Sequence, residues 1–151
     1  MKRREFLAAS AGCACWMLAQ NGQAATKITA PSGPVKIGEL KMFTQQGMVV
    51  RWLYTHGFIL VRNQNQLYAL SAICTHDHRT QIAGRTGGDK LVCPNHGSQF
   101  AQDGTVIRGP ARHNLARFAI KVDGRGQVEV DTAKIFDEDK WGDPASVVVI
   151  S

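Results

Sequence analysis

Apolar residues along this chain fall into short runs separated by turn chemistry. Residues 48–53 (MVVRWL) and 56–62 (HGFILVR) are apolar, β-branched and aromatic, the composition of strands. Asn63-Gln64-Asn65-Gln66 is a polar turn into residues 67–73 (LYALSAI), so the three runs predict a meander. Residues 117–122 (RFAIKV) alternate with period two, Asp123-Gly124-Arg125-Gly126 turns the chain, and residues 127–131 (QVEVD) return it. That is the pattern of a hairpin. Residues 147–150 (VVVI) predict a last short strand, and the acidic stretch 132–144, with Phe136 and Trp141, predicts a helical turn or a loop packed by its aromatics. No long apolar period of 3.6 residues follows the first 25 positions. The predicted fold is all-β, an antiparallel sandwich or small barrel.

The middle of the chain breaks this pattern. Residues 74–88 are polar and rich in Thr, His, Asp, Arg and Gly, while Leu91-Val92 runs straight into Cys93-Pro94-Asn95-His96-Gly97-Ser98. Two irregular loops, each starting where an apolar strand ends, are a common way to build a site on a rigid scaffold.

The N-terminus has a separate logic. Lys2-Arg3-Arg4 precedes an apolar stretch over residues 6–19 and the small-residue run Gly22-Gln23-Ala24-Ala25, the layout of an export signal. Arg3-Arg4 followed by Phe6-Leu7 resembles the twin-arginine signal, which carries folded proteins across the bacterial inner membrane. The apolar stretch is shorter than the roughly 17–25 residues a membrane-spanning helix needs. Cleavage near Ala24 or Ala25 is therefore expected, rather than an anchor or lipidation at Cys13. The predicted organisation is a signal peptide over 1–25, a linker over 26–34 with Pro31, Gly33 and Pro34, and one domain over 35–151. The formal charge of +6 falls to +4 from Thr26 onward. The cations are spread singly, without the basic run or stripe that nucleic-acid binding needs, and the bias is compatible with an acidic redox partner.

Cys13 and Cys15 lie in the leader, which leaves Cys74 and Cys93 in the mature chain. An exported protein with two cysteines would by default pair them. Each, however, has a histidine within three residues, in Cys74-Thr75-His76 and Cys93-Pro94-Asn95-His96. Thiolate and imidazole together suit zinc or iron. Four such ligands can hold one tetrahedral zinc, or a two-iron cluster with both thiolates on one iron and both imidazoles on the other. A Cys-x-His pair is tight for two ligands on one zinc, whereas each loop could give one ligand to each iron.

Cys-Thr-His followed by Cys-Pro-x-His-Gly-Ser resembles the two cluster-binding boxes of the Rieske family. Gly109-Pro110-Ala111, thirteen residues after His96, with Leu115 and Phe118 beyond, resembles the proline loop and following strand that cover the cluster. The resemblance covers about residues 67–130. It implies a Rieske-type antiparallel β sandwich or barrel with two cluster-binding loops and one [2Fe-2S] cluster. By the same resemblance Cys74 and Cys93 bind one iron, His76 and His96 bind the other, and Gly97, Ser98, Phe100 and Pro110 surround them. Two departures stand out. Rieske proteins of cytochrome bc complexes carry an extra cysteine in each box, joined as a disulfide, where this chain has Arg79 and Asn95. Ser98 keeps a hydroxyl that donates to a bridging sulfide in that family, but Phe100 replaces a tyrosine that donates to a cysteine sulfur.

Arg79 is a candidate brace for the loops, through hydrogen bonds in place of the disulfide, beside the plainer reading of a loop residue. Asp77 reads as a loop carboxylate or as a group orienting an imidazole. His78 reads as a solvated neighbour of His76, and His56 and His113 as surface or strand residues. No side chain is expected to be catalytic, and the roughly 50 residues after the loops are too few for the catalytic domain of a ring-hydroxylating oxygenase. The expectation is an exported, periplasmic one-electron transfer protein. It would be a soluble carrier or the small subunit of an oxidoreductase such as arsenite oxidase, working with a redox partner protein or larger catalytic subunit. It would touch a membrane only through an uncleaved leader. The alternatives are a divergent Rieske subunit of a quinol–cytochrome c oxidoreductase, a structural zinc domain and a plain disulfide-bonded β domain.

Overall fold

The computed structural model describes residues 32–84 and 90–150. The leader, with Arg3-Arg4 and Cys13, lies outside the described residues. Among those described, no helix is long and apolar enough to cross a membrane.

In chain order the strands are β1 (Pro34–Glu39), β2 (Gly47–Val49), β3 (Phe58–Asn63), β4 (Gln66–Ser71), β5 (Ala83–Gly84), β6 (Lys90–Val92), β7 (Gln99–Ala101), β8 (Val106–Arg108), β9 (Arg117–Val122), β10 (Gln127–Phe136) and β11 (Val148–Val149). One sheet has seven strands in the order β1-β10-β9-β4-β3-β2, with β11 also on β4; the second has the order β5-β6-β7-β8. Every pairing is antiparallel. The two expected hairpins are present. β3 and β4 close tightly from Asn63 opposite Gln66. β9 and β10 turn at Asp123, whose carboxylate accepts the backbone N–H groups of Arg125 and Gln127.

Residues 58–61 and 67–70 are all fully buried, which is why these runs do not alternate in hydropathy: a strand covered on both faces has no polar side. Alternation survives in where the side chains go. Phe58, Leu60, Leu67 and Ala69 enter a core enclosed by the large sheet, with Ile37, Phe118, Ile120, Val128 and Val130. Ile59, Val61, Tyr68 and Leu70 enter a second core with Leu91, Phe100, Leu115 and both cysteines. The small sheet and its loops are thus seated on one face of the large sheet.

Two expectations are refined and two strands are added. The run 48–53 is not one strand: β2 stops at Val49, and Leu53–His56 form a single helical turn. Gly57 ends it at φ 71°, its N–H donating to the Leu53 carbonyl at 3.1 Å, a left-handed cap that glycine adopts without strain. The short strands β7 and β8 were not legible as strands. In the acidic stretch, β10 continues past a register break between Asp131 and Ile135 into a 3-10 turn at Glu138–Lys140. Trp141 then packs on the buried Arg117, whose guanidinium lies 3.8 Å from the Tyr68 ring centroid and 4.4 Å from that of Trp141. The Trp141 indole N–H donates to the Leu115 carbonyl at 3.2 Å, fastening the end of the proline loop.

Candidate metal centre

Both boxes are built the same way. In the first, the Cys74 N–H donates to the Thr80 carbonyl at 2.9 Å and the Cys74 carbonyl accepts the His78 N–H at 2.9 Å. In the second, the Cys93 N–H donates to the Ser98 carbonyl at 2.8 Å and its carbonyl accepts the Gly97 N–H at 3.1 Å. Each cysteine therefore closes its own loop with backbone bonds and leaves its sulfur free for other work. Gly97 has φ 73° and open space where a Cβ would stand, so glycine is needed there for backbone conformation rather than for room.

The two boxes also grip each other. One Asp77 oxygen accepts the N–H groups of Arg79 at 3.1 Å and Thr80 at 2.9 Å. The other accepts the Thr80 hydroxyl and, from the second box, the Asn95 amide at 3.0 Å. Bonds from Thr80 above all, with Arg79 and Asn95, hold this carboxyl well below the usual carboxylate range. The proline loop is tied to both boxes: the Ala111 N–H donates to the Ser98 hydroxyl at 3.0 Å, and the Thr75 hydroxyl donates to the His113 carbonyl at 2.6 Å.

The candidate ligands are sorted by depth. Cys74 and Cys93 are 0% and 1% exposed and free, so the structure pairs them in no disulfide. His76 and His96 are exposed, with ring centroids 4.9 Å apart and planes at 88°. Burial pushes the Cys74 thiol up, against the pull of the His76 N–H on its sulfur; the neighbouring Cys93 thiol pushes the same way, and the Ser98 hydroxyl opposes. A sulfur supplied with two donors in an apolar pocket is prepared for a negative form that only a cation would stabilise there. Two thiols and two imidazoles are the ligand set of a two-iron cluster, which takes both sulfurs on one iron and both nitrogens on the other. The donor set fits an iron–sulfur cluster.

The other residues fall into place around this set. Ser98 is fully buried, and Phe100, on β7 opposite Leu91, is fully buried in the core that holds both cysteines. Gly97 and Pro110 are exposed. The brace between the loops is made by Asp77 and Asn95; Arg79, one candidate for it, contributes its backbone N–H and leaves its side chain exposed. Asn95 thus joins the loops from a position where the family's disulfide has a cysteine. Asp77-x-x-Thr80 is a local turn signal that could have pointed to this carboxylate. The bond across eighteen residues to Asn95 had no local signal. His78 is exposed at φ 54°. His56 bonds Thr55 at 2.8 Å, and His113 lies 4.0 Å from Glu138.

An all-β scaffold presenting two buried thiols and two exposed imidazoles from paired loops defines a small iron–sulfur protein. The Rieske [2Fe-2S] domain family matches residues 33–119; the chain belongs to that family and is an electron-transfer protein with one [2Fe-2S] cluster. It is 32% identical over 98 residues to the chloroplastic cytochrome b6-f complex iron-sulfur subunit of Arabidopsis thaliana, covering 54% of this chain and 42% of that protein. It is 44% identical over 57 residues to the cytochrome b6-f complex iron-sulfur subunit of Synechococcus sp. (strain JA-2-3B'a(2-13)), covering 38% of this chain and 33% of that one. The chain thus spans well under half the length of these relatives. Among solved structures it is similar to the cyanobacterial plasma membrane Rieske protein PetC3 from Synechocystis PCC 6803, with a TM-score of 0.45, 27% identity, and coverage of 64% of this chain and 98% of that one.

Proposed function

We propose that Cys74 and Cys93 hold one iron of the cluster and His76 and His96 the other, and that the chain is an exported single-electron carrier. The observation behind this reading is the division of the ligand set into buried sulfurs and adjacent exposed imidazoles. When bound, the cluster takes up and releases one electron. The sulfurs, sealed by Leu91, Phe100 and Leu115, keep that end dry. The imidazole rings at the surface give a partner its shortest approach. Export would use the twin-arginine route of Arg3-Arg4 and leave the mature protein in the periplasm. There it would serve as a soluble carrier or as the small subunit of an oxidoreductase such as arsenite oxidase. A second reading, a divergent Rieske subunit of a quinol–cytochrome c oxidoreductase, draws support from the cytochrome b6-f relatives. Asn95, Arg79 and Phe100 count against it.

The native preparation should contain two iron and two acid-labile sulfide per chain and be red-brown. Stoichiometric zinc without iron would overturn the reading. Changing Arg3 and Arg4 to Lys should leave cluster-loaded protein in the cytoplasm, since the threading route cannot carry a folded metalloprotein; fractionation showing undiminished periplasmic delivery would rule out that route.

The potential offers a graded test. Donors to sulfur stabilise the reduced, more negative centre. With Ser98 present and Phe100 offering none, we expect a value of roughly 0 to +200 mV, within the range of about −150 to +300 mV that Rieske centres cover. Phe100→Tyr should raise it by some tens of millivolts, and Ser98→Ala should lower it by at least as much. A redox titration in which neither moves would mean these side chains do not face the sulfurs.

A further inference from the structure

The exposed imidazoles lie in a face made from three segments, and each segment carries an exposed arginine. Arg79 belongs to the first box, its N–H bonded to Asp77. Arg108 lies opposite Gln99 in the β7–β8 pairing, one residue beyond Ser98 of the second box. Arg112 stands between Ala111 and His113, which are bonded to Ser98 and Thr75 respectively. All three are exposed, as are the neutral residues Pro94, Gly97, Gly109 and Pro110 between them. Among the described residues none of these arginines is in an ion pair. Within residues 74–80, 93–98 and 108–113 the only carboxylate is Asp77, already engaged in bonds inside the loops. Glu138, beside His113, stands at one border. The remaining acids of the C-terminal third fall mainly on β10 and the turn after it.

A neutral centre with a charged rim is the anatomy of a transient protein interface, and rim charges act chiefly on encounter rate and partner choice. We propose that Arg79, Arg108 and Arg112 form a cationic collar that docks an acidic electron-transfer protein over His76 and His96. The proposal rests on the ligand assignment above for the electron's exit, but the collar itself can be tested by binding alone.

Decaglutamate is a suitable carboxylate probe, titrated calorimetrically against the holoprotein at low salt. The Arg79→Gln/Arg108→Gln/Arg112→Gln variant should bind it at least about fivefold more weakly. A matched variant, Lys36→Gln/Lys121→Gln/Arg125→Gln, loses the same charge on β1 and the β9–β10 hairpin and should stay within about twofold of the parent. In stopped flow, the reduced holoprotein gives one electron to hexacyanoferrate(III), forming hexacyanoferrate(II). Its rate should fall at least about tenfold between low salt and about 0.3 M, and the collar variant should lose most of that dependence. If the matched variant weakens binding as much as the collar variant, net charge explains the effect and the collar is overturned. A preparation without iron would instead defeat the ligand assignment, and the decaglutamate comparison would still decide the collar.

Discussion

Cys93→Ala or His96→Ala, in otherwise intact protein, should abolish the red-brown colour and leave less than one iron per chain, whereas His78→Ala should keep both. The contrast follows from position. Cys93 is buried beside Cys74, and among the described residues there is no third cysteine to replace it. His96 packs edge-on against His76 at 4.9 Å. His78 is one loop residue away from His76 but is exposed, with φ 54°. Alanine inherits the left-handed strain that His78 already carries, whereas His78→Gly removes the ring and the strain together. Iron analysis, visible absorption and circular dichroism on the same samples separate loss of cluster from loss of fold. A Cys93→Ala protein that retained two iron, or a His78→Gly protein that retained none, would refute the ligand assignment.

What the sequence made legible was what its neighbours in the chain decide. The two members of each candidate ligand pair lie within four residues of each other, so spacing alone singled them out. The β3–β4 and β9–β10 hairpins were legible because strands of six residues or more flank a polar or Asp-Gly turn. The small sheet was not, beyond the apolar Leu91-Val92 of β6, since β5 to β8 have two or three residues each and too few positions to display a period. The run 48–53 misled for the opposite reason. Trp52 and Leu53 are apolar because each fills a core, Trp52 the one enclosed by the large sheet and Leu53 the one with the cysteines, a demand that a strand and a helical turn satisfy equally. The loop brace was hidden because it depends on which of several polar groups meet in space: Asp77 reaches Asn95 at 3.0 Å, while Arg79, with the longer reach, turns outward. Ser98 shows the same limit. Its place near the cluster was implied by resemblance, but its acceptance of the Ala111 N–H, which joins the second box to the proline loop, is a fact of the fold.

Gly104→Ala should be strongly destabilising, for reasons that have nothing to do with metal. Gly104 lies in the turn between β7 and β8, at φ 93°. Its N–H donates to the Ala101 carbonyl at 3.0 Å, and its carbonyl accepts the Leu115 N–H at 2.9 Å. The turn is thereby locked to the strand return that follows the proline loop. A Cβ at this position would stand 2.8 Å from Leu70 Cδ2 and 3.3 Å from Leu115 Cβ. Leu70, on β4, and Leu115 are both fully buried in the core that holds the cysteines. Leu70 can rotate only by disturbing its neighbours, and Leu115 Cβ moves only with its backbone. Backbone strain of about 1–3 kcal/mol and overpacking of about 1–3 kcal/mol point the same way, for a total of about 2–6 kcal/mol. Gly124 is the control: its Cβ would meet nothing within 4 Å, and its φ lies outside the left-handed range. Gly124→Ala should therefore be neutral or slightly stabilising, by about 0.4–1 kcal/mol. Because release of the cluster makes unfolding irreversible, apparent midpoints at one scan rate are the proper comparison. The Gly104→Ala holoprotein should melt at least about 8 °C below the Gly124→Ala protein. Midpoints within about 2 °C of each other would show that the turn does not carry the small sheet's seat on β4.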